Sequence, residues 1–168
     1  SQRHYLTMFK RFKVELFFIS RLFRDNLALH IFSYLKHRFL GGYLLKKLPK
    51  FEYQPDERTE LHSLCRKSDL WMLAVSLGSF LYHSGLRPKI VIHDDGSIDD
   101  KSTELIESKF GGLKVLRKKD ADRMIENFPG LTDKVKRYRA GGHTMIMEFV
   151  DIFLLSKAEN IIVYDSDI

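Results

Sequence analysis

"KIVIHDDGS", residues 89–97, decides how the rest of the chain is read. Lys89 to His93 is a short, β-branched apolar run, and Asp94-Asp95-Gly96-Ser97 ends it with turn-forming residues, so the stretch predicts a strand that stops abruptly. Three continuations compete. Asp-Gly is a strong hairpin signal, but "SIDDKSTELIE" (97–107) has a helical pattern and makes a poor return strand. A calcium loop with Gly96 in sixth place would put Val91, His93 and Ser102 at the first, third and twelfth positions, which are the wrong ligands. A strand-to-helix turn that carries acids fits best, with Ser97 and Asp100 spaced as a capping box.

The same alternation extends both ways. "TELHSLC" (59–65) predicts a strand, and Asp69 is placed to cap a helix over "LWMLAVSLGSFLYHS" (70–84). Leu70, Leu73, Ala74, Leu77 and Leu81 share one face of that helix, and Gly85 with Pro88 stops it. Beyond the central turn, a helix through Leu105, Ile106 and Phe110 reaches Gly111-Gly112, and "LKVL" (113–116) predicts a third strand. Two helical stretches come next, broken at Pro129-Gly130 and Gly141-Gly142, then a longer helix over about 143–158. "NIIVY" (160–164) predicts a fourth strand. Strand and helix in alternation imply an α/β fold, a mainly parallel sheet with right-handed crossovers and helices on both faces. Short unbroken apolar strands suit a sheet covered on both sides.

Composition narrows the classes. With 44% hydrophobic and 30% charged residues in 168, the chain reads as globular, with length for one real core. A single cysteine, Cys65, excludes an internal disulfide framework and a Cys-based zinc site, and it fits a reducing, cytoplasmic setting. Arg, Lys and His interrupt every apolar run short of the roughly 18 residues a membrane span needs. The chain opens at Ser1 without a secretory pattern and reads as an excerpt of a longer protein.

Charge is uneven. Residues 1–50 hold eleven Lys/Arg against Glu15 and Asp25, a net +9, whereas residues 51–168 hold seventeen basic against twenty acidic residues, a net −3. The basic segment carries Phe9, Phe12, Leu16, Phe17, Ile19 and Phe23 at amphipathic helical spacing, and the Gly41-Gly42 and Pro49–Pro55 stretches separate it from the remainder of the chain. The expected organisation is therefore a basic helical segment, 1–52, before an α/β unit, 53–168. Packing against a neighbour or peripheral attachment to an anionic membrane suits such a segment. Nucleic-acid binding ranks last, because no binding motif is present and the rest of the chain is acidic.

The chemistry gathers at strand ends. In an open parallel sheet, ligands bind beyond the carboxyl ends of the strands. "KIVIH" runs into Asp94-Asp95, and "NIIVY" runs into Asp165-Ser166-Asp167. An Asp-x-Asp alone is weak, since thirteen aspartates give roughly one such spacing by chance. A second copy, Asp120-Ala121-Asp122, lies in a charged run that reads as a solvated helix start. The copy at 165–167 comes directly after an apolar strand, and residues at i and i+2 of extended chain point the same way. Two hard oxygen donors so placed suit Mg²⁺ or Mn²⁺. Phosphate-binding glycine loops and the nucleophile elbow are absent, and His62, His93 and His143 are dispersed, so they read as structural.

Taken together, "RPKIVIHDDGS" between helices and a long helix leading into "IIVYDSDI" resemble the nucleotide-diphospho-sugar transferases, the glycosyltransferases of the GT-A fold, over about Thr59 to Ile168. The resemblance implies a Rossmann-like sheet, a nucleotide-diphosphate sugar as donor, and Mn²⁺ or Mg²⁺ as cofactor. It implies Asp165 and Asp167 as the metal-binding pair, with Asp165 also near the sugar-nucleotide. Asp94 and Asp95 would sit by the base or ribose, and Ser63 to Arg66 would line the nucleotide pocket. Lys136 and Arg139 would reach the diphosphate. The acceptor-binding elements that the family carries after its Asp-x-Asp are missing, so the expectation is the front half of an enzyme. The alternative is a non-catalytic, membrane-associated or scaffolding domain that keeps the fold.

Overall fold

The computed structural model describes residues 40–141 and 144–165, and those from Gly41 onward belong to one compact unit. The basic helices expected over residues 1–39 lie outside the described residues, as do Ser166 and Asp167. In chain order the elements are α1 (residues 40–47), β1 (Asp56–Cys65), α2 (Leu70–Ser84), β2 (Pro88–Asp94), α3 (Asp100–Glu107), β3 (Leu113–Leu116), α4 (Lys118–Glu126), α5 (Asp133–Ala140), α6 (Thr144–Leu155) and β4 (Asn160–Val163). The fold is α/β, with a four-stranded sheet in the order β3-β2-β1-β4 and every pair parallel, a Rossmann-like arrangement.

β1 and β2 are both bonded on two sides, and β1 joins the first three strands to β4. Glu60–Cys65 run beside Lys89–Asp94 of β2, and Thr59–His62 run beside Asn160–Val163 of β4. Strand alternation sends Leu61, Ser63 and Cys65 to one face, together with Ile90 and Ile92. There they meet Leu70, Leu73, Ala74, Leu77 and Leu81, the α2 stripe read from periodicity, with Ile98, Ile106, Phe110 and Leu113 closing the cluster. The opposite face carries Glu60 and His62, and it is covered by α6, which packs on β1 and against α4 and α5. Ala121, Ile125, Met147 and Ile152 supply the buried apolar side chains of that layer. One face is therefore an ordinary apolar core, and the other mixes apolar and charged groups.

Residues 41–55 pack on this same unit. Leu45 enters the core, and Phe51 stacks on Phe110 with ring centroids 5.0 Å apart. Phe51 N donates to the Lys109 carbonyl at 2.7 Å, Gly111 N donates to the Phe51 carbonyl at 2.8 Å, and the Tyr53 hydroxyl donates to the Pro88 carbonyl at 2.9 Å.

Two helix caps differ from their sequence reading. Asp69 occupies the N-cap of α2 but has helical dihedrals (φ −100°, ψ −6°), so its side chain makes no capping bond. The cap of α3 is Asp99 rather than Ser97: Asp99 is extended (φ −90°, ψ 168°), and its Oδ1 accepts from Ser102 N at 2.9 Å. Gly85 does stop α2, in the left-handed region at φ +68°.

Gly111 offers a sharp test of how residues 41–55 pack. A Cβ there would lie 2.7 Å from the Tyr53 carbonyl oxygen and 3.0 Å from its nitrogen, backbone atoms that cannot swing aside. Gly111→Ala is expected to cost about 1–3 kcal/mol in urea unfolding, the usual scale of overpacking, whereas Gly42→Ala, with open space around it, should change little.

Candidate functional site

All four strands run parallel, so their carboxyl ends share one rim. Chain order reverses between β1, which leads to β2, and β4 on its other side, and such a switch point opens a crevice at the strand ends. Three residues stand on the rim. Asp95 comes after β2, Arg66 comes after β1, and Asp165 lies just past β4. β2 and β4 are not direct neighbours, as convergence of the two acid clusters would suggest, but flank β1 and are separated by about 10 Å.

The rim is built locally by the two acids after β2, which divide the work. Asp94 is 3% exposed, and its Oδ1 accepts from Gly96 N at 2.8 Å and Ile98 N at 2.9 Å. Its Oδ2 lies 3.5 Å from Arg117 Nε, and Arg117 also donates to the Thr103 hydroxyl at 2.8 Å. Asp94 is thus consumed in folding the turn, for which Gly96 supplies a φ of +100°. Asp95 faces the rim instead: Oδ1 accepts from Ser97 N at 3.0 Å, and Oδ2 lies 3.6 Å from Arg66 Nε. Arg66 keeps 63% of its side chain exposed, so its guanidinium remains open to an anion. A second link braces the turns, because Lys67 N donates to Ser97 Oγ at 2.9 Å and Lys67 Nζ pairs with Asp99.

Asp165 is exposed and is positioned by its neighbour. Tyr164 N donates to the His62 carbonyl at 2.8 Å, its hydroxyl shares a 2.5 Å hydrogen bond with Ser76 on α2, and its ring tilts against Phe80 at 5.5 Å. Continuing the β1–β4 register by two residues sets Asp165 beside Leu64. An exposed carboxylate at this place has the hard-oxygen chemistry that a divalent cation needs. Among the described residues no group of three or more His, Cys, Asp or Glu could hold a metal ion, and Asp167 is not among them.

The remaining sequence candidates lie elsewhere. Ser63 is fully buried on the apolar face, and its Oγ meets no hydrogen-bond partner among the described residues. Lys136 Nζ donates to the Glu126 carbonyl at 2.8 Å, at the end of α4. Arg139, 3% exposed, is clamped by two carboxylates: Nε and Nη2 donate to Asp151 at 2.5 and 2.8 Å, and Nη1 donates to Asp122 at 2.5 Å. The Asp151 hydrogen bond raises the guanidinium further above its ordinary pKa. Asp122 feels burial pushing its carboxyl up, but the hydrogen bonds from Arg139 and Lys118 prevail and hold it below the usual range. The Asp120-Ala121-Asp122 run is a helix start, as its charge pattern suggests, with Ala121 buried beneath it.

Sequence reading treats His62 and His93 as separate structural residues, and it misses that they touch. His62 Nδ1 and His93 Nε2 are 2.9 Å apart, and His62 Nε2 lies 3.1 Å from Glu60 Oε2. Glu60 also accepts from the Ser156 hydroxyl at 2.7 Å. Burial would raise the Glu60 carboxyl, but the hydrogen bonds from Ser156 and His62 outweigh it and keep it below the ordinary range. Burial lowers His62, and burial with the His62 and Arg139 charges takes His93 down to about 3, so both rings are neutral at pH 7. Only strand register, Leu64 beside His93, could have signalled the pair. Cys65 is buried as expected, and burial pushes its thiol up, away from reactivity.

No protein-family model, curated protein or solved structure matches the chain. No helix among the described residues is long and apolar enough to cross a membrane.

The buried clamp can be tested directly. Arg139→Met would leave Asp151, itself 2% exposed, as an uncompensated buried charge. The expected loss is about 3–5 kcal/mol in urea unfolding at pH 7, and adding Asp151→Leu should recover much of it.

Proposed function

We propose that this chain carries the donor-binding part of a metal-dependent glycosyltransferase of the GT-A fold, one that takes a nucleotide-diphosphate sugar. The observation that carries the reading is the position of Asp165. It leaves β4 beside β1, at the switch point of a parallel sheet, on the rim that also holds Asp95 and Arg66. A rim with one open guanidinium between two acids suits a ligand that is anionic at its diphosphate and rich in hydroxyls at its ribose.

In this reading the roles divide by chemistry. Arg66 faces the diphosphate, and Asp95 accepts hydroxyl hydrogen bonds from the ribose. Asp94 acts through the turn that it folds rather than by touching ligand. Asp165 and Asp167 would hold Mn²⁺ or Mg²⁺, which supplies charge neutralisation to the leaving nucleotide. Ser63 and Arg139 do not contribute contacts, since one is sealed in the core and the other is held by Asp151 and Asp122. Residues 1–50, with their net +9, would add peripheral membrane contact.

Calorimetric titration of UDP and GDP into the folded chain, with and without Mn²⁺, tests the reading. Binding should require Mn²⁺ and weaken at least about tenfold in Asp165→Ala, Asp167→Ala and Arg66→Ala, the loss of one charge-assisted contact. Absence of binding by a chain that circular dichroism finds folded would overturn it. Vesicle binding by residues 1–50 without any nucleotide binding would replace it with a membrane-associated scaffold.

A further inference from the structure

We propose that the Glu60–His62–His93 chain is a proton-gated latch: while its rings are neutral it holds the α4–α6 layer on the sheet, and acid releases that layer while the α2 face stays closed. This stands apart from the donor-site reading and uses different residues.

The geometry fixes where each proton sits. Glu60, as a carboxylate, can only accept, so His62 must carry its hydrogen on Nε2, 3.1 Å away. His62 Nδ1 is then a lone pair, and the 2.9 Å contact requires His93 to donate from Nε2. That leaves a bare lone pair on His93 Nδ1, buried and without a hydrogen-bond partner among the described residues. Both rings are 2% exposed. One added proton converts His62 to imidazolium, reverses the shared hydrogen bond, and moves a hydrogen onto His93 Nδ1. An N–H now stands where no hydrogen-bond partner is found among the described residues, and the nearby Arg139 charge opposes the added proton. Closed packing cannot satisfy it, and opening to water can.

The groups around the pair do not relieve this. β1 offers Glu60, already bonded to His62 and Ser156, and β2 offers Lys89, a cation 3.6 Å from Glu60. α5 offers Arg139, α6 offers Asp151 and Glu148, and α4 offers Asp122, but Asp151 and Asp122 are taken up by Arg139 and Glu148 is engaged as well. The layer is tied to the chain at its far end as well, because Ser156, just past α6, donates to Glu60. Protonation therefore acts on the seam between α6 and the sheet. The apolar face, with Leu61, Ile90 and Ile92 against α2, contains no histidine or carboxylate in its cluster.

Burial sets the sign. Each ring has a folded pKa below the unfolded value of about 6.5, so the open state binds more protons and opening grows as pH falls through 6.5. Each histidine adds up to about tenfold to the opening constant per pH unit below that point.

Hydrogen exchange measured by mass spectrometry on the full chain, at pH 7.0 and 5.5 with times matched for intrinsic exchange, reads the latch. Residues 118–155 should open about tenfold more at pH 5.5, with residues 70–84 unchanged. His93→Gln, which keeps a donor towards His62 but cannot titrate, should cut the difference to the part that His62 alone contributes. Equal acceleration on both faces, or a difference undiminished in His93→Gln, would overturn the proposal. Should that variant fail to fold, nitrogen-15 spectra of the wild-type imidazoles decide: both rings protonated on Nε2 at pH 7 supports the latch, and a His93 that titrates near 6.5 or carries its hydrogen on Nδ1 refutes it.

Discussion

Everything in this fold hangs on β1 being hydrogen-bonded along both edges. A strand in that position, with helices on both sides, has no solvent-facing side to which polar side chains can be assigned. Leu61 and Cys65 meet that condition simply, by joining the apolar cluster. Glu60 and His62 cannot, and each takes a polar partner: a histidine from β2 and a serine just past α6. The second face is thus a chain of obligations, in which each buried polar group calls for the next. It comes to rest at His93 Nδ1, where no partner is found among the described residues.

The rim shows how two identical neighbours acquire different duties. Asp94 and Asp95 are adjacent, yet strand alternation turns the first inward, where two backbone N–H groups claim one oxygen. Instead of touching a ligand it gives structural support, in that the turn it folds presents Asp95 to Arg66. The same principle operates at β4. Tyr164 is anchored to α2 and to the β1 backbone, so that the next residue, Asp165, leaves the sheet at a fixed place.

The sequence is informative where signals are local. Unbroken runs such as "KIVIH", "LKVL" and "NIIVY" match three strands to within a residue at either end, because β-branched residues bounded by turn formers have few other uses. The α2 stripe is legible from its period alone. Capping is misread at Ser97, since two candidates, Ser97 and Asp99, lie close together and only backbone dihedrals choose between them. The burial of Arg139 and Ser63 escapes the sequence for a related reason. A cation looks like a phosphate ligand, and a serine like a pocket residue, until strand parity and helix facing assign their surroundings. The His62–His93 contact is invisible because it spans 31 positions and depends on the β1–β2 register.

The pairing of β1 with β4 also sets an order of assembly. β1, β2 and β3 are joined by short crossovers, but Thr59 finds its partner Asn160 only after about a hundred further residues. Loop closure over that distance adds little to the final free energy, yet long-range pairing slows folding. On the ribosome, at ~5–20 residues per second, β1 spends on the order of 5–20 s as an open edge before β4 emerges. During that interval the strand destined for the middle of the sheet is a ready template for another nascent chain, and its Glu60 and His62, which are awkward to bury later, give the growing edge the charge and polarity that discourage such pairing.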